Sequence, residues 1–286
     1  MAVAQDSNTT SEGTIPVSTQ ALLNGVKRPE SRTVIKAVVM VICRKDNSKG
    51  TGFIVSPGWM IVTNNHVVKT CTAGELEITA SATNDPIKLE DMKPDPNRDL
   101  AVLCTDKALP FGLVPAGDEH PPIETEVETW GYPLNYESRA PILSRGYVAG
   151  YSRDVMPAER GGTGVPVNRL IINGAFNPGN SGGPLIDRTT GRVIGVVVEK
   201  WTLWSPLIET AINGFAHPRG MMGGTFSRTD ASGKVVGVSD QEVISEVIKE
   251  FYQQSQVMIG NAISISELNA FLKPKRGESP VCGSHQ

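Results

Sequence analysis

From Val34 onward the chain reads as brief β-branched runs cut by turn residues. VIKAVVMVIC, GFIVS, WMIVT, ELEITA, PIKLED and LAVLCT lie between 34 and 105, and VETWG, ILSRGYVAGYS, NRLIING, GPLID and RVIGVVV between 127 and 198. Runs this short and this closely spaced predict antiparallel strands curled into barrels or sandwiches. No helical segment of ten or more residues alternates with them, which argues against a parallel, doubly wound sheet. The 29 glycines and 20 prolines fit a turn-rich globular chain.

The proline-rich ALPFGLVPAGDEHPPIETE, residues 108–126, divides the strands into two groups. A boundary is expected near 110–124, giving an N-terminal arm at 1–32, a first β-domain at 33–118, a second at 119–272 and a tail at 273–286. The arm is mostly polar; its one apolar piece, ALLNGV at 21–26, suits a short helix. SDQEVISEVIKEFYQQS, at 239–255, opens on Ser239 and Glu242 as a capping box and repeats apolar residues at Val243, Ile244, Val247, Ile248 and Phe251. It predicts an amphipathic helix packed on the core. VMIGNAI then predicts one more strand, Ser264 with Glu267 caps a final short helix ending near Leu272, and the remaining polar tail is expected to be disordered.

Net charge is −3, from 27 basic and 30 acidic residues, with no long block of one sign. Nothing in this balance indicates nucleic-acid binding. No run approaches the ~18 apolar residues of a spanning helix, and the first residues lack the pattern of a secretory signal. A soluble, cytoplasmic protein without membrane contact is therefore expected. Cys43, Cys71, Cys104 and Cys282 show no paired metal-ligand spacing, so neither a metal nor any other cofactor is anticipated. In a reducing compartment they read as free thiols, three in or beside apolar strands and Cys282 in the tail.

The chemistry centres on NPGNSGGPLID, 177–187, where Ser181 stands among glycines. A serine hydroxyl is a poor nucleophile without an adjacent base, itself fixed by a third group. Of four histidines, His66 in IVTNNHVV follows an apolar strand directly; His120, His217 and His285 lie in linker, loop and tail. Asp99 in NRDLAVLC stands immediately before an apolar strand, while Asp91 and Asp95 have looser surroundings. Each signal alone also describes an ordinary turn or cap; the set is what points to hydrolysis.

TGFIVS (51–56), TNNHVV (63–68), DLAVL (99–103) and GNSGGPL (179–185), in that order, resemble the signature segments of trypsin-fold serine proteases, most closely the HtrA/Deg branch. The resemblance implies an all-β fold of two six-stranded antiparallel barrels with the site in the cleft between them. It also implies a His66–Asp99–Ser181 triad acting through an acyl-enzyme, with the Gly179 and Ser181 amides as oxyanion hole. Protein or peptide substrates follow. Enzymes of this fold that cut after basic residues carry an acid six positions before the nucleophile, and here that residue is Ala175. An apolar pocket is expected instead, with Phe176, Val197 and Val198 read either as its walls or as ordinary core. Residues 196–198 offer an edge for an extended substrate.

Two departures stand out. Most members of the branch carry a PDZ domain after the protease; none is expected here, so oligomeric assembly is not carried over. Residues 199–256 replace a short loop, which suggests a lid or docking surface; an alternative alignment puts the last strand at AINGFAHP, 211–218. Two other functions compete. GNSGG also satisfies G-x-S-x-G, the nucleophile elbow of α/β-hydrolase esterases, although that motif needs a helix after the serine. The third reading is a catalytically silent protease fold serving as a binding or scaffolding module.

Overall fold

β-branched, buried sequence decides the centre of the N-terminal half. Val38–Cys43 (β1) hydrogen-bonds antiparallel to Ser48–Val55 (β2) on one side and Leu76–Ala80 (β4) on the other. Met60–Thr63 (β3), Pro86–Ile87 (β5), Leu89–Asp95 (β6) and Leu100–Thr105 (β7) complete a seven-stranded sheet in the order β5-β4-β1-β2-β3-β7-β6. The computed structural model describes residues 18–82, 85–134, 140–155, 164–200, 225–229, 235–239, 243–247, 259–274 and 280–283.

The second group forms a closed six-stranded barrel. Its strands are Glu126–Gly131 (β8), Ile142–Val155 (β9), Pro166–Gly174 (β10), Pro184–Asp187 (β11), Val193–Lys200 (β12) and Ile259–Ser264 (β15), ordered β10-β15-β12-β11-β8-β9. Between β12 and β15, Thr225–Thr229 (β13) and Val235–Ser239 (β14) pair as a separate hairpin. The expected two-barrel architecture is thus met by one closed barrel and one half-barrel sheet. The last barrel strand is β15, inside the expected VMIGNAI region, whereas AINGFAHP lies outside the described residues.

An apolar cluster runs from β1, β2, β3 and β7 into Trp130, Tyr132, Val167, Val196, Ile263 and Leu268, so the two sheets share one continuous interface. A second cluster, including Val148, Leu170, Phe176, Leu185 and Val197, fills the closed barrel. Burying apolar surface on both sides of the junction holds the sheets together.

The N-terminal arm is more structured than its polarity suggests. Thr19–Gly25 (α1) is the expected short helix, capped by Ser18, whose hydroxyl accepts from the Ala21 amide. Pro29–Ala37 (α2) takes residues 34–37 from the expected first strand. Pro29 sits in the first turn, Glu30 near the positive end and Lys36 near the negative end, each suited to a helix; Ser31, Val34, Ile35 and Ala37 bury one face.

Three further expectations are corrected. Ser239 belongs to β14 and does not open a helix. Helical structure is described only at 243–247, where Val243, Ile244 and Val247 are exposed and Ser245 is buried. The rest of 239–255 lies outside the described residues. The final helix, Ile265–Leu272 (α4), forms as expected, yet Ser264 makes no side-chain cap. Finally, the cysteines are paired. Cys43–Cys71 and Cys104–Cys282 are disulfides with Cα–Cα separations of 5.8 and 5.4 Å. Free thiols are the expectation for a reducing compartment, and no sequence spacing announces these pairs. The fold creates them, by setting the turn after the His66 helix against β1 and by bringing residues 280–283 back onto β7. That return also overturns the expectation of a disordered tail for those four residues. Among the described residues, no helix is long and apolar enough to cross a membrane.

Candidate active site

His66 is presented by Asn65–Val68 (α3), a single helical turn that begins where β3 ends. Its backbone N–H donates to Asp99 Oδ1 at 2.9 Å, and its ring Nδ1 lies 2.8 Å from Asp99 Oδ2. A carboxylate only accepts, so Nδ1 carries the proton of this bond; in the neutral ring Nε2 then holds the lone pair. Asp99 is gripped from its other end too: its carbonyl accepts from Asn64 Nδ2 at 2.9 Å and from the Asn65 amide at 3.2 Å. Its φ of +56° is uncommon for a residue with a Cβ, and it lets one residue address segment 64–66 through both side chain and carbonyl. Asp91 instead pairs with exposed Lys93, Asp95 turns to Arg98, and the His120 ring packs on Tyr151. His217 and His285 lie outside the described residues.

The turn carrying Ser181 meets the same ground from the other barrel. Gly182 has φ +86°, and a Cβ there would sit 2.1 Å from the Thr51 carbonyl, 2.2 Å from Thr63 Oγ1 and 3.0 Å from the Asn64 amide nitrogen. Only a residue without a side chain fits. Gly50 lies between the two halves of the site, because a Cβ on it would fall 2.7 Å from the Val67 methyls and 3.1 Å from the Ser181 carbonyl. Ser181 is buried, and its hydroxyl donates to the Val198 carbonyl. Among the described residues its Oγ makes no hydrogen bond to His66.

Thr51 joins the sheets at this point. Its amide donates to the Ser181 carbonyl at 2.8 Å, its hydroxyl donates to the Gly179 carbonyl at 2.6 Å, and the same oxygen accepts from the Tyr132 amide at 3.0 Å. Gly179 has φ +96°, with a would-be Cβ 2.3 Å from the Tyr132 carbonyl. Among the described residues, the amides of Gly179 and Ser181 donate to no protein acceptor, whereas those of Gly182 and Gly183 are taken by Val197 and Asn180 carbonyls. A buried phenol and a half-buried ammonium border the loop. Burial pushes the Tyr132 phenol up, partly offset by a hydrogen bond with Ser81, and desolvation lowers the Lys49 ammonium, which donates to the Pro133 carbonyl at 3.4 Å.

The expected substrate edge moves. Val197 is engaged on both sides: its register partner on β15 is Ala262, its amide donates to the Gly183 carbonyl and its carbonyl accepts from Gly182. Among the described residues, no strand pairs with β12 on the β11 side beyond Val197; there the Val198 carbonyl accepts from the Ser181 hydroxyl, and the β12–β15 register skips Val198. Phe176 and Val197 are wholly buried in the barrel core, and the Phe176 ring lies against Gly260, where a Cβ would be 2.3 Å from Cδ2. Ala175 is half-buried beside them. Residues that the sequence reading passed over include Thr51 and Asn64, both inside segments it quoted, and Arg98, next to a residue it chose. β11 follows Ser181 directly, so the esterase elbow, which needs a helix there, is overturned.

This geometry on a half-barrel and closed barrel defines a class, and comparison agrees. A family model for the trypsin-like peptidase domain matches residues 50–196, just over half of the chain. The chain belongs to that family. It is similar to the "Probable periplasmic serine endoprotease DegP-like" of Bartonella henselae, 34% identical over 148 residues, covering 51% of this chain and 27% of that protein. It is also similar to "Protease Do-like 1, chloroplastic" of Arabidopsis thaliana, 30% identical over 205 residues, covering 70% of this chain and 43% of the other. Among solved structures, the active form of the Rv3671c protease from M. tuberculosis is 27% identical with a TM-score of 0.52, covering 70% of this chain and 85% of that one. The chain spans less than half the length of these two curated relatives.

Proposed function

We propose that this chain is a serine endopeptidase in which His66, Asp99 and Ser181 act as one unit. The observation that carries the reading is the two-point grip of Asp99 on His66, which assigns the proton to Nδ1 and orients the ring, on a helical turn that adjoins the turn holding the serine. For reaction the Ser181 hydroxyl rotates from the Val198 carbonyl to His66 Nε2. His66 takes the proton as Oγ attacks the scissile carbonyl carbon, and Asp99 stabilises the imidazolium. The tetrahedral oxyanion receives the Gly179 and Ser181 N–H groups, donors typically worth about 10²- to 10³-fold in rate. Collapse breaks the C–N bond as His66 returns the proton to the leaving amine, and water then hydrolyses the acyl-enzyme with His66 again as base.

The substrate is a polypeptide in extended form, adding a strand along the edge that starts at Val198. Phe176 stacked on Gly260 leaves little depth beside Ala175, so the expected apolar preference narrows to small residues such as Ala or Val before the cut. Two disulfides fit an oxidising compartment rather than the cytoplasm, in keeping with a relative named periplasmic.

A second reading, a silent binding module, draws on the serine's bond to Val198. Fluorophosphonate labelling separates the two: wild-type protein labels and Ser181→Ala does not, and failure of the wild type to label, with or without unfolded protein present, refutes the enzyme. Mass-spectrometric mapping of cleavage sites in an unfolded substrate then reads the pocket; a preference for Phe or Leu would refute the small-residue assignment.

A further inference from the structure

We propose that the Arg98–Glu267 ion pair is a positioning element, which ties the turn bearing Asp99 to the second barrel and so sets His66 relative to Ser181. This rests on reading those three residues as the catalytic unit.

Arg98 precedes Asp99 in the tight turn between β6 and β7. Asp95 Oδ1 accepts the Asn97 and Arg98 amides at 3.1 and 3.2 Å, and Arg98 Nη1 donates back to Asp95 Oδ2 at 2.7 Å. A different nitrogen, Arg98 Nε, donates across the junction to Glu267 Oε2 at 3.0 Å. Glu267 is on α4, whose start a Ser264–Glu267 capping box was expected to close. The carboxylate is used elsewhere: Oε2 takes Arg98, while Oε1 accepts from the Asn168 amide and Asn168 Nδ2 at 3.1 and 2.9 Å. Glu267 is only 8% exposed, so its charge sits inside the protein with Arg98 as its counter-charge. Burial opposes the charge on Arg98, but its bonds to Asp95 and Glu267 outweigh that and raise its pKa.

Thr51 fastens the nucleophile loop to the first sheet; Arg98 fastens the acid's turn to the second. With both ties closed, neither half of the site shifts without breaking a buried or part-buried bond. A misplacement near 1 Å costs about 10²-fold in rate, so such ties act on turnover rather than binding.

Arg98→Lys keeps the charge but gathers its donors on one nitrogen, in place of the separate Nε and Nη1 that reach Glu267 and Asp95. In this variant kcat on a peptide substrate is expected to fall about 10- to 100-fold with KM within about threefold. NMR of the His66 ring, which needs no turnover, is expected to show the Nδ1–H resonance moving upfield and exchanging faster with water as the bond to Asp99 loosens. Because the charge is unchanged, a through-space effect predicts no such shift. Glu267→Gln should act in the same direction, and the double variant should be no worse than the worse single. Asn168→Ala, a milder loosening of Glu267, provides the test if the others do not fold. Folded variants with wild-type kcat and a wild-type His66 Nδ1–H resonance overturn the proposal, even if melting temperature drops. Absence of labelling in the wild type instead refutes the protease reading, and the His66 Nδ1–H resonance still decides whether Arg98 positions the pair.

Discussion

Thr51→Val removes one oxygen and keeps the shape of the side chain. In the folded protein that oxygen is fully buried and serves two backbone groups, the Tyr132 N–H and the Gly179 carbonyl. Valine leaves both unpaired without room for water. An orphaned buried donor or acceptor costs about 1–3 kcal/mol, so the pair should cost about 2–4 kcal/mol after local relaxation. For a domain of this size that is a fall in Tm of about 5–12 °C. The effect on rate is separable. Freeing the Gly179 carbonyl loosens the peptide units beside a proposed oxyanion donor, whose outright removal is worth about 10²- to 10³-fold, so a loss of about 10- to 100-fold in kcat with little change in KM is expected. Thr51→Ser keeps the hydroxyl and should hold kcat within about threefold, at a stability cost near 1 kcal/mol for the lost methyl. Thermal melts and steady-state cleavage of one peptide measure both quantities. A valine variant with unchanged Tm refutes the account of the unpaired groups; one with lowered Tm and wild-type kcat refutes the link from Thr51 to Gly179.

Gly182→Ala must place a Cβ 2.1 Å from the Thr51 carbonyl at a positive φ, so labelling of Ser181 should be lost, and full labelling would show that the turn can reshape. The disulfides close separations of 28 and 178 residues, for which chain entropy gives about 3.6 and 5 kcal/mol; replacing Cys104 and Cys282 by Ser should lower the denaturant midpoint more than replacing Cys43 and Cys71, and the reverse order would remove loop entropy as the main cause. Hydrogen bonds from Asn269 and Lys273 hold the Asp118 carboxyl below its ordinary value of 3.8. A depressed folded pKa contributes stability that is present above that ordinary value and lost as pH falls through the folded one. The advantage of wild type over Asp118→Ala should therefore shrink below about pH 3.8 in denaturant titrations; an advantage unchanged to pH 2 refutes it.

Local signals carried far where the structure is itself local. Alternating or continuous β-branched runs became strands close to their expected bounds, since a strand's burial is written along its own residues. The order of segments around His66, Asp99 and Ser181 was legible because tight turns need glycine and strand ends need particular neighbours. Pattern failed where a residue's partner is distant. Residues 34–37 read as strand but turn helical behind Pro29. Val243, Ile244 and Val247 have helical spacing, yet the turn they occupy leaves them exposed. Glu267 has capping spacing, yet its carboxylate finds a cation 169 residues away.

The amino-acid order alone determined the class: short strands in two groups, a glycine-shaped serine turn, and a histidine and an aspartate each placed at a strand end. Periodicity and backbone dihedral preference act between neighbours, so they can be read in one dimension. The fold decided which aspartate meets which histidine, which cysteines meet, where the free edge of β12 begins, and that Arg98 reaches across the junction to Glu267. Those outcomes depend on burial and charge compensation between residues far apart along the chain, and such forces have no value until the sheets are packed.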